Sequence, residues 1–321
     1  MRLKEEILKQ LEEDRGNFIS GESLAARWGV SRGAVWKAIR SLEKDGFCIL
    51  SVRNRGYALS AESDALSESG IKKYLGEGFD VRVIKRAAST NDEVKKLAEN
   101  GAGEWSVVIA EEQSAGRGRF GRPFYSPEGN GLYMSILLRP KFPAADTLFI
   151  TTSLAVAVCE AIERVSGKRA DIKWVNDIFM DGRKVSGTLT EASFSVESGG
   201  LAYAVVGVGV NVKSGCFPPS LSEIAGSVFG EGEYPAEGRA RLAAAILERF
   251  RYYYDRIPER AFFSEYRRRS LVIGKRVKVF SGALEGEAEV LDLNENCFLK
   301  VRFPDGRECL LSSGEVSIKL K

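Results

Sequence analysis

Apolar residues recur at helical spacing along the first 45 residues, a pattern that predicts three short helices. The apolar face of the first helix consists of Leu3, Ile7, Leu8 and Leu11. A second helix is predicted over residues 22–28, and Gly29 and Val30 follow it as a tight turn. Ser31 is a good helix cap, so we expect a third helix from there to about Lys44. Its buried stripe is Val35, Ile39 and Leu42.

Two helices joined by a tight turn form the helix-turn-helix arrangement of DNA-binding proteins. After Gly46, two short strand-like segments flank Arg53 and Arg55, which predicts a basic wing. The candidate DNA-binding residues are Ser31, Arg32, Trp36, Lys37, Arg40, Arg53 and Arg55. The alternative is an ordinary helical hairpin with a solvated basic face.

Between residues 70 and 270 the periodicity alternates between that of strands and that of helices. Strands are predicted at 80–86, 105–112, 132–139, 172–175, 178–180, 184–194 and 203–212. Helices are predicted at 90–100, where residues 90–93 form a capping box, and at 146–165, 221–229, 237–257 and 260–270. Asp181 and Gly182 are a hairpin signal. Strands joined by hairpins imply a mixed or antiparallel sheet with packed helices, and argue against a doubly wound parallel one.

The two ends of this central region mark domain boundaries. Residues 60–69 are small, polar and acidic, so they are interpreted as a linker. The last fifty residues are rich in short strands with tight turns, which predicts a small closed β-barrel of the SH3 type. We therefore expect an α+β multi-domain chain with domains at 1–64, 65–270 and 271–321.

Composition removes several classes of function. The chain has no histidine, which excludes Ser-His-Asp and Cys-His catalysis and histidine-containing zinc sites. Its five cysteines form no C-x-x-C pair, so we expect them to serve in packing. The charged N-terminus is no secretory signal, and the apolar segment 201–212 is too short to span a membrane. A cytoplasmic protein without a membrane partner is the expectation.

Charge is distributed unevenly along the chain. Residues 15–60 contain eight basic residues against three acidic ones, a local excess of +5, whereas the whole chain carries +3. A locally basic module is typical of nucleic-acid binding, which favours the DNA-binding interpretation of the first domain.

The sequence GRGRFG, at residues 116–121, fits the spacing G-x-G-x-x-G of dinucleotide-binding domains. That interpretation requires a helix directly after the turn. Pro123 and Pro127 follow instead and forbid it. A glycine-rich loop with Arg117, Arg119 and Arg122 suits another way of holding phosphate, through close backbone approach and forked guanidinium donors. Without a ligand we expect this loop to be mobile, because its arginines repel one another and it has few apolar anchors.

Five segments occur in order along the central domain and together resemble the biotin–protein ligases. They are STND at 89–92, EEQSAGRGRFGR at 111–122, SPEGNGLYMS at 126–135, KWVNDIFMDGRKVSGTLTE at 173–191 and GVGVN at 207–211. With the winged helix in front, the whole chain resembles the bifunctional biotin ligases that also repress the biotin operon. The resemblance implies a class II synthetase-like catalytic domain.

The resemblance also implies a reaction. Biotin and ATP, with Mg²⁺, form biotinyl-5′-adenylate, and a lysine of the biotin carboxyl carrier protein of acetyl-CoA carboxylase then takes the biotinyl group. A homodimer in the adenylate-bound state would bring two winged helices to operator DNA.

The resemblance assigns site residues in three groups. Catalytic residues are Lys184, Arg119 and Asp177, the last with the hypothetical role of orienting the incoming lysine. Biotin-binding residues are Ser89, Thr90, Asn91, Gln113, Arg117, Gly118, Arg119, Lys184, Gly187 and Gly207. Adenylate-binding residues are Arg117, Arg119, Arg122, Asn176, Lys184 and Asn211. No metal ligand is assigned.

The chain departs from the family pattern at a few positions. Val175 replaces the proline of K-W-P-N-D, Phe124 stands where a tryptophan is common, and Thr188 and Thr190 replace apolar residues. Two other functions remain open: a lipoate–protein ligase, and a transcription regulator that binds an effector without catalysis.

Overall fold

The computed structural model describes residues 3–194, 201–215, 217–281 and 284–317. The N-terminal domain consists of α1 (Leu3–Glu13), α2 (Gly21–Trp28), α3 (Arg32–Lys44) and a hairpin of β1 (Ile49–Val52) and β2 (Gly56–Leu59). The Ser31 hydroxyl accepts from the Ala34 amide, which begins α3 as predicted. The helices share one apolar core built on Ile7, Leu11, Leu24, Val35, Ile39 and Leu42. The winged helix-turn-helix prediction is confirmed.

The segment predicted as a linker, 60–69, is packed against the central domain. Leu66 is buried, and its amide donates to Glu111 Oε1 at 2.7 Å. Asp64 accepts from Arg239 Nε at 2.8 Å. Ser67 caps α4 (Glu68–Lys72), so the segment ends in a helix. Glu62 and Glu68 remain exposed, whereas Ser63 and Ser67 are buried and bond to residues of the first domain, Cys48 and Glu12. The segment therefore packs against both domains.

A seven-stranded sheet forms the centre of the molecule. Its strands are β3 (Asp80–Ala87), β4 (Ser106–Gln113), β5 (Gly131–Leu138), β6 (Asp171–Lys173), β7 (Asp177–Met180), β8 (Arg183–Phe194) and β9 (Leu201–Asn211). The order is β3-β4-β5-β9-β8-β7-β6, with β3 and β4 parallel and the other neighbours antiparallel. The mixed sheet follows from the connections: a helix joins β3 to β4, whereas a two-residue turn joins β7 to β8.

Helices cover both faces of this sheet. The long helices α6 (Thr147–Ser166) and α7 (Gly238–Tyr254) pack on one face in the main core, together with α8 (Phe263–Arg268). Helix α5 (Thr90–Glu99) packs on the other face through Val94 and Ala98. The segment containing α6 is long and apolar enough to cross a membrane, but its residues are mostly buried here, as in a core helix.

Two local predictions in the central domain are wrong. The predicted helix 221–229 is a turn followed by extended chain, because its backbone bonds to neighbouring strands: Lys184 N donates to Ile224 O at 2.9 Å, and Gly226 N donates to Lys184 O at 2.9 Å. The predicted capping box does not form either, since Ser89 is the cap residue and makes no side-chain cap bond. Thr90 faces other partners, described below.

The C-terminal strands are β10 (Arg276–Ser281), β11 (Leu284–Leu293), β12 (Leu299–Arg302), β13 (Glu308–Leu311) and β14 (Glu315–Ser317). They form one antiparallel sheet in the order β13-β12-β11-β10-β14, so the last strand pairs with the first, as the SH3-type prediction requires.

The cysteines only partly follow the packing prediction. Cys159 and Cys297 are buried, but Cys48 is exposed and Cys309 is half-buried. Cys48 directly precedes β1, an exposed strand of the wing, so packing does not explain this cysteine. Cys216 lies outside the described residues.

Candidate active site

A cavity of about 330 Å³ opens between the arginine loop, the start of β8 and the end of the C-terminal sheet. All ten residues predicted to bind biotin line it: Ser89, Thr90, Asn91, Gln113, Arg117, Gly118, Arg119, Lys184, Gly187 and Gly207. The catalytic candidate Asp177 and the adenylate candidates Arg122 and Asn176 line it as well. Asn211 lies outside it, at the end of β9, where its Nδ2 donates to the Gly226 carbonyl at 3.0 Å.

A connected set of polar side chains forms the inner wall. Gln113 Oε1 accepts from the Thr90 amide at 2.8 Å and from its hydroxyl at 3.1 Å. Ser135 Oγ lies 2.7 Å from Thr90 Oγ1 and 2.6 Å from Asn91 Oδ1. Thr90 is therefore oriented by the strands beneath it, which explains why it does not cap its helix. Such preorganised donors and acceptors can bind a buried polar ligand group without further ordering.

Glycines on β9 let the side chains of Asn91 and Phe124 pack directly against its backbone. A Cβ on Gly207 would lie 2.4 Å from Asn91 Oδ1, and one on Gly209 would lie 2.5 Å from Phe124 Cε1. Both distances are shorter than real Cβ contacts, so only glycine allows the backbone of β9 to lie this close to Asn91 and Phe124.

The β7–β8 hairpin presents a charged pair to the cavity. Its turn residues Asp181 and Gly182 have positive φ of 48° and 75°, which matches the predicted two-residue turn. Lys184 follows on β8, and its Nζ lies 2.6 Å from Asp177 Oδ1 on β7. The hairpin therefore fixes the position of the amine at the cavity.

The arginine loop is anchored through polar contacts. Arg117 makes a bidentate pair with Asp92, with Nη1–Oδ2 at 2.8 Å. Arg122 makes a bidentate pair with Glu315, with both distances at 2.7 Å. The prediction of a mobile loop rests on its few apolar anchors, and these two ion pairs are additional, charged anchors. Whether the loop moves without a ligand stays a prediction.

Arg119 differs from the two flanking arginines because its partners are neutral. It donates to Asn176 Oδ1 at 3.3 Å and to the Gly314 carbonyl at 3.0 Å. Burial lowers the pKa of its guanidinium from the ordinary value, without a carboxylate hydrogen bond to offset the desolvation. The Arg117 guanidinium, by contrast, holds the pKa of the Asp92 carboxyl below its usual range.

Several cavity residues were missed from the sequence: Phe120, Pro123, Lys173, Leu189, Val208, Gly209, Leu221, Ile224 and Glu315. Lys173 and Gly209 lie inside the quoted segments KWVND and GVGVN, so those segments could have suggested them. Glu315, Leu221 and Ile224 come from distant parts of the chain and carry no local signal.

The residues predicted to bind DNA are exposed on the winged helix. Arg32, Trp36, Lys37 and Arg40 are exposed on α3, and Arg53 and Arg55 are exposed on the wing. The Ser31 hydroxyl is occupied by its capping bond. The Arg55 guanidinium lies 4.2 Å from the centroid of the Phe18 ring, which holds it against the domain surface.

Comparisons with known proteins agree with this geometry. Residues 83–211 match the biotin/lipoate A/B protein ligase family, and residues 4–58 match a helix-turn-helix domain. The bifunctional ligase/repressor BirA of Bacillus subtilis strain 168 is 37% identical over 233 residues, which cover 70% of each chain. BirA of Bacillus spizizenii is 38% identical with the same coverage. The chain belongs to the biotin–protein ligase family.

A solved structure of this ligase family has the same fold. Biotin protein ligase from Aquifex aeolicus, in complex with biotin and ATP, superposes with a TM-score of 0.63 at 27% identity. The match covers 74% of this chain and 97% of that one.

Two of the positions at which this ligase departs from the family pattern, Val175 and Thr190, have defined hydrogen-bond partners. The Val175 carbonyl accepts from Tyr266 Oη at 2.9 Å, and Trp174 Nε1 donates to the Cys297 carbonyl at 3.0 Å. Thr190 Oγ1 lies 2.7 Å from Thr151 Oγ1 on α6. These bonds hold the residues before and after the Lys184 hairpin.

Proposed function

We propose that this protein activates biotin with ATP and transfers the biotinyl group to a lysine of the biotin carboxyl carrier protein of acetyl-CoA carboxylase. The observation that carries the proposal is one cavity that brings Arg119 and Lys184 to the polar wall of Thr90, Asn91 and Gln113. Family membership supplies the reaction, and the cavity supplies groups that suit each part of it.

In the first step, a biotin carboxylate oxygen attacks the α-phosphorus of ATP and pyrophosphate leaves. Both reactants are anions, so positive charge is needed where negative charge builds up. Lys184 and Arg119 supply it by this proposal, and Arg117 and Arg122 hold the loop that carries Arg119. Loss of one preorganised donor costs roughly 3–4 kcal/mol in the barrier, so Lys184→Ala is expected to slow adenylation by about 10²–10³.

In the second step, the carrier lysine attacks the acyl carbon of the mixed anhydride and AMP leaves. Asp177 is proposed to orient that lysine, because its carboxylate lines the cavity and already holds one ammonium group, that of Lys184. Asp177→Asn should then slow transfer more than adenylation. Transfer at the parent rate would dismiss this role.

Mg²⁺ is proposed to act with ATP. The described part of the chain contains no cluster of three metal-ligating side chains. That suits Mg²⁺, which is commonly held by one or two carboxylates together with substrate phosphates. The carboxylate of Asp177 at the cavity fits such a role. When bound, the ion would neutralise charge on the phosphate oxygens.

The winged helix is proposed to repress transcription in response to biotin. In this proposal the adenylate-bound protein forms a homodimer, so that two winged helices contact two half-sites of operator DNA together. Operator affinity should rise with biotin plus ATP and fall steeply with salt. Gel shifts that are indifferent to biotin would contradict the coupling.

We also propose the domain bounds 1–64, 65–270 and 271–321 and a cytoplasmic location. The packed segment 60–69 makes the first boundary a docked connection between two domains.

Pyrophosphate exchange into ATP tests the proposed activity. Exchange should require biotin and should not be supported by lipoate, because the polar wall suits a ureido group that lipoate lacks. Exchange with lipoate alone would favour a lipoate ligase. No exchange with either acid would favour an effector-binding regulator without catalysis.

A further inference from the structure

Most cations at the cavity already have an anionic partner. Arg117 is paired with Asp92, Arg122 with Glu315, and Lys184 with Asp177. An incoming phosphate must compete with those carboxylates. Two cations do not impose this competition: Arg119, with neutral acceptors, and Lys173.

Lys173 lines the cavity, but its ammonium makes no hydrogen bond or ion pair within the ranges that the structure describes. Its Nζ lies 6.0 Å from the centroid of the Phe179 ring. Burial lowers the pKa of Lys173, and the fields of Lys184 and Arg122 lower it further, against the opposing carboxylates of Asp177 and Glu315. A half-buried ammonium without a partner is unfavourable in the free protein, which suggests that an anionic ligand satisfies it.

The position of Lys173 indicates which part of the ligand it meets. On β6 it is directly opposite Asp177 of β7, whose carboxylate binds Lys184. The charges of Arg122 and Glu315, the pair that joins the loop to the C-terminal sheet, also shift the pKa of Lys173, Glu315 upward and Arg122 downward. In the strand order β8-β7-β6, Lys173 therefore lies on the far side of β7 from Lys184, at a cavity that Arg122 and Glu315 also line.

We propose that Lys173 binds the β- and γ-phosphates of the nucleotide and stabilises pyrophosphate as it leaves. The inference rests on the proposed function, in which Lys184 and Arg119 serve the carboxylate and the α-phosphate. As the carboxylate oxygen bonds to the α-phosphorus, the bond from that phosphorus to the bridging oxygen breaks. The electron pair and the new negative charge remain on pyrophosphate, beside the Lys173 ammonium.

The two half-reactions separate this role from a structural one. Pyrophosphate takes part in adenylation but not in transfer from preformed biotinyl-adenylate to the carrier. Lys173→Gln should slow biotin-dependent pyrophosphate exchange by about 10²–10³. It should raise the KM for pyrophosphate, and leave the KM for biotin and the transfer rate unchanged. Lys173→Arg keeps the charge and should recover much of the exchange.

The matched control is Lys96→Gln, on an exposed lysine of α5 that pairs with Glu93, and it should leave every rate unchanged. Thermal unfolding should show Lys173→Gln to be at least as stable as the parent, because an unpartnered charge is removed. Equal loss of exchange and transfer, or full exchange in Lys173→Gln, would overturn the inference. Absence of exchange in the parent would instead overturn the proposed function.

Discussion

Substitution of Arg239 tests most strictly how the first domain is joined to the central domain. Its side chain is 3% exposed and lies between Asp64 of the docked segment and Glu111 of β4. Nε donates to Asp64 Oδ2 at 2.8 Å, Nη1 donates to Glu111 Oε2 at 2.6 Å, and Nη2 donates to the Asp64 carbonyl at 2.6 Å. Arg239→Met keeps much of the side-chain volume and removes the charge.

The structure sets the expected size of the effect. Asp64 keeps a second cation, Lys213, at 2.6 Å, whereas among the described residues Glu111 keeps only the amide of Leu66. Removing one partner of a buried ion pair costs about 3–5 kcal/mol, because a charge is left buried and uncompensated. Since one of the two carboxylates stays paired, we expect the lower end, about 3 kcal/mol.

Urea unfolding followed by circular dichroism measures this loss. Arg302→Met is the matched control, because it breaks the exposed pair of Arg302 with Glu308 and should change stability little. The double variant with Glu111→Gln should recover part of the loss, because the uncompensated charge is then gone. An Arg239→Met variant that is no less stable than the control would refute the reasoning.

Three further predictions concern the cavity, the DNA surface and pH. In Gly209→Ala the new Cβ would press against the Phe124 ring. Overpacking of this kind costs about 1–3 kcal/mol, so calorimetry should show weaker biotin binding. An unchanged Kd would contradict this. Lys37→Ala should weaken operator binding and reduce its salt slope by about 1 in fluorescence anisotropy, whereas an unchanged slope would mean that Lys37 contacts no phosphate. Burial raises the pKa of the Glu12 carboxyl from its ordinary value of 4.5. The protonated carboxyl is the form that suits the folded state, so stability is lost as the pH rises through the raised pKa. Glu12→Gln should therefore raise Tm at pH 8, with a gain that shrinks as the pH falls toward 4.5, and a lower Tm at pH 8 would contradict the sign.

Local patterns in the sequence were enough to predict most elements. Ser31 caps its helix, Asp181 and Gly182 turn the hairpin, and the glycine loop is not followed by a helix. Each of these features depends on a few neighbouring residues. The cavity was predicted through the family resemblance, which aligned segments that spacing alone could not connect.

What the sequence could not supply is the pairing of distant residues. Thr90 has the spacing of a capping box, but its hydroxyl instead donates to Gln113 Oε1 and accepts from the Ser135 hydroxyl. Residues 221–229 have a helical pattern, yet they form a turn and extended chain because their backbone hydrogen-bonds to the backbone of Lys184. The Arg122–Glu315 pair joins residues that are 193 positions apart. Such partners are chosen by the folded chain.

Calorimetric titration with a hydrolysis-resistant phosphodiester analogue of biotinyl-adenylate tests the central claim most directly. Arg119→Gln and Lys184→Gln should each bind it roughly 10- to 100-fold more weakly than the parent, since each removes a charged hydrogen bond of about 1.5–3 kcal/mol. Lys168→Gln, at the exposed pair with Glu233, should bind like the parent. Parent-like affinity in both cavity variants would show that Arg119 and Lys184 do not hold the adenylate.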